Sequence, residues 1–181
     1  SHVVLFAGML RGIMGWAVWI YHMFTVGRGP VANSVFTITT RLIAVRTGVK
    51  IFNWIGTMWG GSIKLDSCML YAIGFVALFI VGGLSGVSHA VSPSDAQQQD
   101  TYFIVAHIHY VLFGGAIFGI FTGIYYWFPK VTGKLLDETL GKINFWLLFI
   151  GMNITFFPMH YLGMNGMPRR IYTYSTEYGW D

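Results

Sequence analysis

Residues 102–129 read YFIVAHIHYVLFGGAIFGIFTGIYYWFP, and this stretch decides the fold class. It contains no Asp, Glu, Lys or Arg, and a helix needs about 20 mostly apolar residues to cross the hydrocarbon core of a bilayer. Its apolar residues are continuous, whereas a transmembrane β-strand is about ten residues long and alternates in polarity. The stretch therefore predicts a membrane-spanning α-helix.

Four further stretches are also long and mostly apolar, and turn-forming Gly, Pro, Ser and Asp residues separate them. The five predicted spans lie near residues 3–26, 33–58, 67–90, 102–129 and 139–164. We therefore expect an all-α membrane protein in which residues 1–181 form one bundle of five transmembrane helices.

The amino-acid composition is also that of a membrane protein. Of 181 residues, 55% are hydrophobic and 10% are charged, whereas a soluble domain carries about 25% charged residues. The single cysteine, Cys68, excludes a disulfide and a Cys-based zinc or iron–sulfur site within the chain. Lys and Arg are scattered, so the formal net charge of +4 does not indicate a nucleic-acid-binding surface.

Two histidines, His107 and His109, lie inside the 102–129 span, where ionisable groups are costly and usually functional. Side chains two residues apart on a helix point about 200° away from each other. The pair therefore cannot hold one metal ion together, but it can hold two cofactors on opposite faces of one helix. The alternative is that both are core histidines hydrogen-bonded to neighbouring carbonyl groups.

Three cations, Arg41, Arg46 and Lys50, lie in the 33–58 span, which contains no Asp or Glu. Their partners must be carbonyl groups, water, an absent protein segment or an anionic cofactor. An ion or solute carrier that uses these cations is one alternative function, although it leaves the two histidines unexplained.

Arg169 and Arg170 follow the last predicted span. Guanidinium groups form forked hydrogen bonds with carboxylates, and haem propionates are carboxylates of this kind. The alternative is that the two arginines anchor the end of the helix at the membrane interface.

Four motifs resemble, in order and in spacing, subunit I of the haem–copper terminal oxidases of the cytochrome c oxidase type. They are WIYHMFTVG at 19–27, TGVKIFNW at 47–54, DTYFIVAHIHYVL at 100–112 and GMPRR at 166–170. The resemblance covers nearly the whole chain. It implies that the five spans correspond to the seventh to eleventh of that family's twelve helices, so that the chain is a segment truncated at both ends.

The resemblance implies metal and haem ligands at matching positions. His107 matches the axial ligand of the high-spin haem that binds oxygen, and His109 matches one of two axial ligands of the low-spin haem. His22 matches one of three histidines on the copper ion that faces the high-spin haem. Asp100 matches a ligand of a non-redox magnesium site.

The resemblance also implies roles for four other polar residues. Thr47 and Lys50 match polar residues of a proton pathway to the oxygen site, and their spacing of three places them on one helix face. Arg169 and Arg170 match the pair that binds haem propionates.

The activity implied is that of a respiratory oxidase, which reduces oxygen to water with electrons from cytochrome c, or from quinol, and translocates protons. The implied partners are the missing remainder of subunit I, the other oxidase subunits and membrane lipid, and the isolated fragment is expected to be inactive. Gln99 stands where mitochondrial members have a histidine. This difference favours the bacterial plasma membrane over the mitochondrial inner membrane.

Tyr21 departs from the family pattern, because family members usually have two adjacent histidines where this chain has Tyr21 and His22. Copper sites of this kind use imidazole ligands, and a phenol is a poor replacement for a neutral imidazole. An alternative function is therefore a catalytically degenerate haem-binding or structural membrane segment that lacks a competent copper site.

Overall fold

The computed structural model describes residues 2–18, 27 and 29–180, and the regular structure in these ranges is helical. The helices are α1 (His2–Val18), α2 (Pro30–Met58), α3 (Ser67–His89), α4 (Ser92–Gln98), α5 (Tyr102–Val111), α6 (Phe118–Thr132) and α7 (Glu138–Met164). A π-helical turn at Leu112–Ile117 joins α5 to α6, and a 3-10 turn covers Thr176–Tyr178. The predicted all-α class is confirmed.

Within the part of the chain that the structure describes, three helical segments are long and apolar enough to cross a membrane: Ser67–His89, Tyr102–Thr132 and Glu138–Met164. Their length and composition support the predicted membrane class. α2 has 29 residues, but three cations interrupt its apolar sequence, and α1 is described only as far as Val18. The organisation into five spans stays a prediction.

The chain folds as two compact units. One comprises Ser1–Gly61 and Gly83–Gln99, and the other comprises Ser62–Gly82 and Asp100–Asp181. α3 therefore contributes its first part to the second unit and its last part to the first unit.

In the first unit, α1 packs against α2, and Gly8 of α1 lies next to a charged side chain of α2. A Cβ atom at Gly8 would lie 3.4 Å from the Nζ atom of Lys50. The Thr47 hydroxyl donates a hydrogen bond to the Ile43 carbonyl, one turn earlier on α2, at 3.1 Å. Such bonds satisfy hydroxyl groups within the helix itself.

The core of the second unit contains two tyrosines, Tyr71 on α3 and Tyr110 on α5, that are completely buried. Asn144 on α7 donates a hydrogen bond to the Tyr71 hydroxyl at 2.9 Å. The Tyr110 hydroxyl donates to the side-chain oxygen of Asn153, also on α7, at 2.8 Å. Because buried polar groups need such partners, these bonds fasten α7 to both α3 and α5. The apolar side chains that complete this core are Leu78, Phe118, Phe145 and Met152.

Carboxylates mark the beginnings of α3 and α7. One oxygen of Glu138 accepts hydrogen bonds from the backbone N–H of Ser67 at 2.8 Å and from its hydroxyl at 2.9 Å. Asp137 accepts from the N–H of Leu140 at 2.8 Å in the first turn of α7. Carboxylates at these positions satisfy free N–H groups and favourably oppose the helix dipole. Glu138 therefore ties the start of α3 to the start of α7.

α5 approaches α7 at Gly163, which is buried. A Cβ atom at this position would overlap the backbone N and Cα atoms of Phe103. Close by, the backbone N–H of Tyr102 donates to the carbonyl of Met167 at 3.0 Å. The separation of α5 and α7 therefore requires glycine at position 163.

We expect Gly163→Ala to destabilise the full-length protein, because the added methyl group meets backbone atoms rather than a movable side chain. Overpacking of this kind typically costs about 1–3 kcal/mol. Thermal unfolding of the detergent-purified protein should therefore begin at a lower temperature than in the wild type.

The matched control is Gly151→Ala on the same helix, since a Cβ atom at position 151 would have nothing within 4 Å. Alanine is favoured over glycine in a helix by about 1 kcal/mol, so this variant should be neutral or slightly stabilised. Equal unfolding temperatures for the two variants would contradict the prediction.

Candidate functional site

His107 lies on α5, half-buried, with its side chain directed at α3. Its Nδ1 atom is 2.9 Å from the carbonyl oxygen of Gly82. A carbonyl oxygen can only accept, so this hydrogen bond places a proton on Nδ1, and in the neutral imidazole the lone pair is then on Nε2. This is the tautomer in which histidine ligates a metal through Nε2 while a carbonyl group holds the ring in place.

The hydrogen bond of His107 depends on the small size of Gly82. This glycine is buried, and a Cβ atom on it would lie 3.0 Å from the carbonyl carbon of Tyr110 and 3.0 Å from the backbone nitrogen of Val111. A larger residue would push α3 away from α5. Glycine at position 82 therefore brings its own carbonyl within reach of the imidazole.

His109 has different neighbours. Its Nδ1 atom is 2.7 Å from the carbonyl oxygen of Val105, one turn earlier on the same helix. Its imidazole stacks on the ring of Phe156 from α7, with centroids 4.0 Å apart and planes inclined by 15°. The carbonyl again places a proton on Nδ1, so that in the neutral ring the lone pair is on Nε2.

The two imidazoles thus contact different helices, His107 against α3 and His109 against α7. In the neutral form, each ring has the donor chemistry that a haem ligand needs, with its Nδ1–H held by a carbonyl group. The residues present therefore fit two separate haem groups, one for each histidine.

A π-helical turn follows directly after this pair. Gly114 and Gly115 are buried in it, and a Cβ atom on Gly114 would lie 2.7 Å from the Cβ atom of Leu78 on α3. π-helical turns widen a helix locally and occur frequently at functional sites. Here the wider turn changes the direction in which the side chains of α6 point relative to the two histidines of α5. The backbone of the turn stays close to α3.

Asp100 and Arg169, for which the family resemblance implies roles at a magnesium ion and a haem propionate, bind each other. The Nε and Nη2 atoms of Arg169 lie 2.8 and 2.6 Å from the same carboxylate oxygen of Asp100. The backbone N–H of Arg169 also donates to the Asp100 carbonyl at 2.8 Å. A backbone bridge between Thr101 and Pro168 continues this pairing. The segment after α7 is therefore fastened to the start of α5.

Two residues of this junction have left-handed backbones: Asp100 with φ 59° and Arg170 with φ 63°. For a residue other than glycine this conformation costs about 1–2 kcal/mol, and it persists where surrounding contacts impose it. The Asp100 side chain is 64% exposed, so its carboxylate can also meet a cation. Such a cation would compete with Arg169 if it used the same oxygen.

Thr47 and Lys50 both lie on α2, in the other compact unit, and both are half-buried. His22, the predicted copper ligand, lies outside the described residues, as does Tyr21. Among the residues that the structure describes, no three His, Cys, Asp or Glu side chains gather as metal ligands.

Sequence reasoning missed Gly82, Phe156 and the pairing of Asp100 with Arg169. The Gly82–Gly83 pair within an apolar helix is a signal of close helix packing, but it does not say which carbonyl meets a histidine. No local pattern identifies Phe156, because the 139–164 span contains several phenylalanines.

A family model described as cytochrome c and quinol oxidase polypeptide I matches residues 1–181. The chain is 53% identical over 178 residues to cytochrome c oxidase subunit 1 of Bacillus sp. (strain PS3), covering 98% of this chain and 29% of that protein. It is 55% identical over 165 residues to cytochrome c oxidase subunit 1 of Thermostichus vulcanus, covering 91% and 30%. For the same subunit of Cereibacter sphaeroides the identity is 49% over 171 residues, covering 94% and 30%.

The chain therefore spans less than a third of the length of these curated relatives. The family match extends over its whole length and confirms the resemblance drawn from the four motifs. This chain belongs to the cytochrome c and quinol oxidase polypeptide I family.

Proposed function

We propose that this chain is part of the catalytic subunit of a respiratory haem–copper oxidase. In this proposal the complete enzyme reduces oxygen to water with electrons from cytochrome c and couples the reaction to proton translocation. Family membership supports the class of reaction, and the observation that carries the assignment is the His107–Gly82 hydrogen bond of 2.9 Å. When bound, haem iron and copper supply the redox chemistry.

His107 is proposed as the axial ligand of the high-spin haem. The carbonyl of Gly82 holds the Nδ1 proton and fixes the direction of the ring. A hydrogen bond of this kind raises the basicity of the ligating nitrogen. The chain's contribution at this position is thus an oriented, electron-rich imidazole.

His109 is proposed as one axial ligand of the low-spin haem, with the second ligand outside this chain. Its bond to the Val105 carbonyl gives the same tautomer as in His107. Because the two histidines have separate neighbours, each ring is oriented independently of the other.

Arg169 and Arg170 are proposed to bind haem propionates, and Asp100 to bind magnesium. A guanidinium group has five N–H donors, and Asp100 receives two of those of Arg169, which leaves about three for a propionate (five minus two). Asp100 thereby holds the guanidinium group in position, and this group keeps N–H donors for a second carboxylate.

Thr47 and Lys50 are proposed to belong to a proton pathway. They share one face of α2, and neither α1 nor α2 contains an Asp or Glu. A half-buried hydroxyl and ammonium group can exchange protons with water that enters the protein.

The relatives named above are bacterial, which supports a place in the bacterial plasma membrane.

A second candidate function is a haem-binding segment without a competent copper site, and Tyr21 next to His22 is the observation that favours it. If the catalytic proposal is right, the purified parent oxidase should contain about one copper ion per high-spin haem at the copper site to which His22 is predicted to belong. Metal analysis with haem quantification measures the ratio. A ratio near zero would support the degenerate alternative.

We expect His107→Ala to remove the high-spin haem from the parent oxidase and to lower oxygen consumption by at least about 100-fold, because loss of a mere hydrogen-bond partner of a metal ligand already costs about 10–100-fold. The low-spin haem should remain, since its ligand is a different side chain. Reduced-minus-oxidised spectra and an oxygen electrode measure both effects. Retention of the high-spin haem together with oxygen reduction would disprove this ligand assignment.

We expect Gly82→Ala to weaken the hydrogen bond of His107, because the methyl group pushes α3 away from the α5 backbone. The iron–imidazole stretching frequency of the ferrous high-spin haem, measured by resonance Raman spectroscopy, should fall as the ligand becomes less basic. Gly83→Ala is the matched control, since a Cβ atom there has nothing within 4 Å. A frequency that is unchanged in Gly82→Ala would count against the role of this carbonyl.

A further inference from the structure

Phe156 on α7 lies almost parallel to the imidazole of His109. The ring centroids are 4.0 Å apart and the planes are inclined by 15°. Aromatic pairs in proteins usually have centroids about 4.5–7 Å apart, so this pair is in close face-to-face contact. The His109 ring cannot turn about its Cβ–Cγ bond without moving Phe156.

The hydrogen bond to Val105 does not orient the His109 ring by itself. It fixes the position of Nδ1 relative to α5, but small rotations of the ring plane about the donor–acceptor direction preserve its length. The flat face of Phe156 restricts those rotations. The plane of the imidazole therefore depends on α7, whereas the position of its nitrogen depends on α5.

Phe156 is itself held in place by contacts on both sides along α7. Three residues before it, Asn153 accepts the hydrogen bond of the buried Tyr110 hydroxyl at 2.8 Å. Seven residues after it, Gly163 lies against the backbone of Phe103. α7 can neither slide nor turn past α5 without breaking one of these contacts.

We propose that Phe156 is a positioning residue for the low-spin haem, which sets the plane of the His109 ligand and shields one of its faces from water. This inference rests on the proposed function, in which His109 is an axial ligand. The orientation of an axial imidazole affects the energies of the iron d orbitals, and the apolar shell around a ligand affects the reduction potential of the metal. Phe156 thereby influences the spectrum and potential of the haem without touching the iron.

The test uses Phe156→Leu in the complete parent oxidase. Leucine keeps an apolar side chain but removes the flat ring, so both haems should remain bound. The low-spin ferric signal in electron paramagnetic resonance and the reduction potential of the low-spin haem should both shift. Phe156→Tyr, which keeps the ring, should restore the wild-type signal and potential.

The matched control is Phe157→Leu, at the next residue of α7, which is 61% exposed. It should leave the low-spin signal unchanged. If Phe156→Leu lowers the yield of enzyme but the assembled fraction has the wild-type signal and potential, the role is only structural and the inference is overturned. If Phe156→Leu does not assemble, Phe156→Met takes its place, because methionine adapts to irregular gaps. A shifted low-spin signal and potential would then support the inference, and wild-type values would overturn it.

A parallel His109→Ala variant separates this inference from the proposed function. If His109→Ala keeps the low-spin haem, the ligand assignment is wrong and the inference fails with it. If His109→Ala loses the low-spin haem while Phe156→Leu has the wild-type signal and potential, only the inference about Phe156 is overturned.

Discussion

The close packing of α5 against α3 on one side and α7 on the other is the constraint on which the candidate site depends. Lipid provides little hydrophobic force between helices in a membrane, so small residues and interhelical hydrogen bonds hold them together. Gly82 permits the contact with α3 and Gly163 the contact with α7. The bond between His107 and the Gly82 carbonyl, and the stacking of His109 on Phe156, both follow from this packing.

Polar interactions in the second unit are distributed according to their cost in an apolar medium. Inside the core, the bonds join neutral groups, such as the Tyr110 hydroxyl and the Asn153 amide. Charged groups stand at helix ends, where Glu138 caps α3 and Arg169 pairs with Asp100. Because an ion loses far more solvation energy than an amide on burial, this distribution keeps the helix bundle stable without charges in its centre.

α2 differs from the second unit because it has charged side chains within the helix. Its 29 residues include Arg41, Arg46 and Lys50 but no acidic residue. Gly8 on α1 lies next to the ammonium group of Lys50. The chain covers less than a third of the length of its relatives, and charges inside a membrane protein face its interior or water. In the proposed oxidase, the environment of these cations is completed by the remainder of the subunit and by water.

Local sequence was sufficient for the helical membrane class, because hydropathy and the absence of charge are properties of a single segment. It was also sufficient to predict that His107 and His109 point to opposite sides of one helix, because that follows from helical geometry alone. The four sequence motifs were sufficient to identify the family. None of these conclusions required knowledge of what packs against the helix.

Tertiary structure alone decided which groups meet the histidines and which charges pair. The rotation and depth of α3 and α7 relative to α5 bring Gly82 to His107 and Phe156 to His109. Asp100 and Arg169 lie 69 residues apart in sequence, and their ion pair exists because two segments outside the helices run side by side. Contacts of this kind depend on how several helices fit together, and that fit is not contained in the pattern of any one of them.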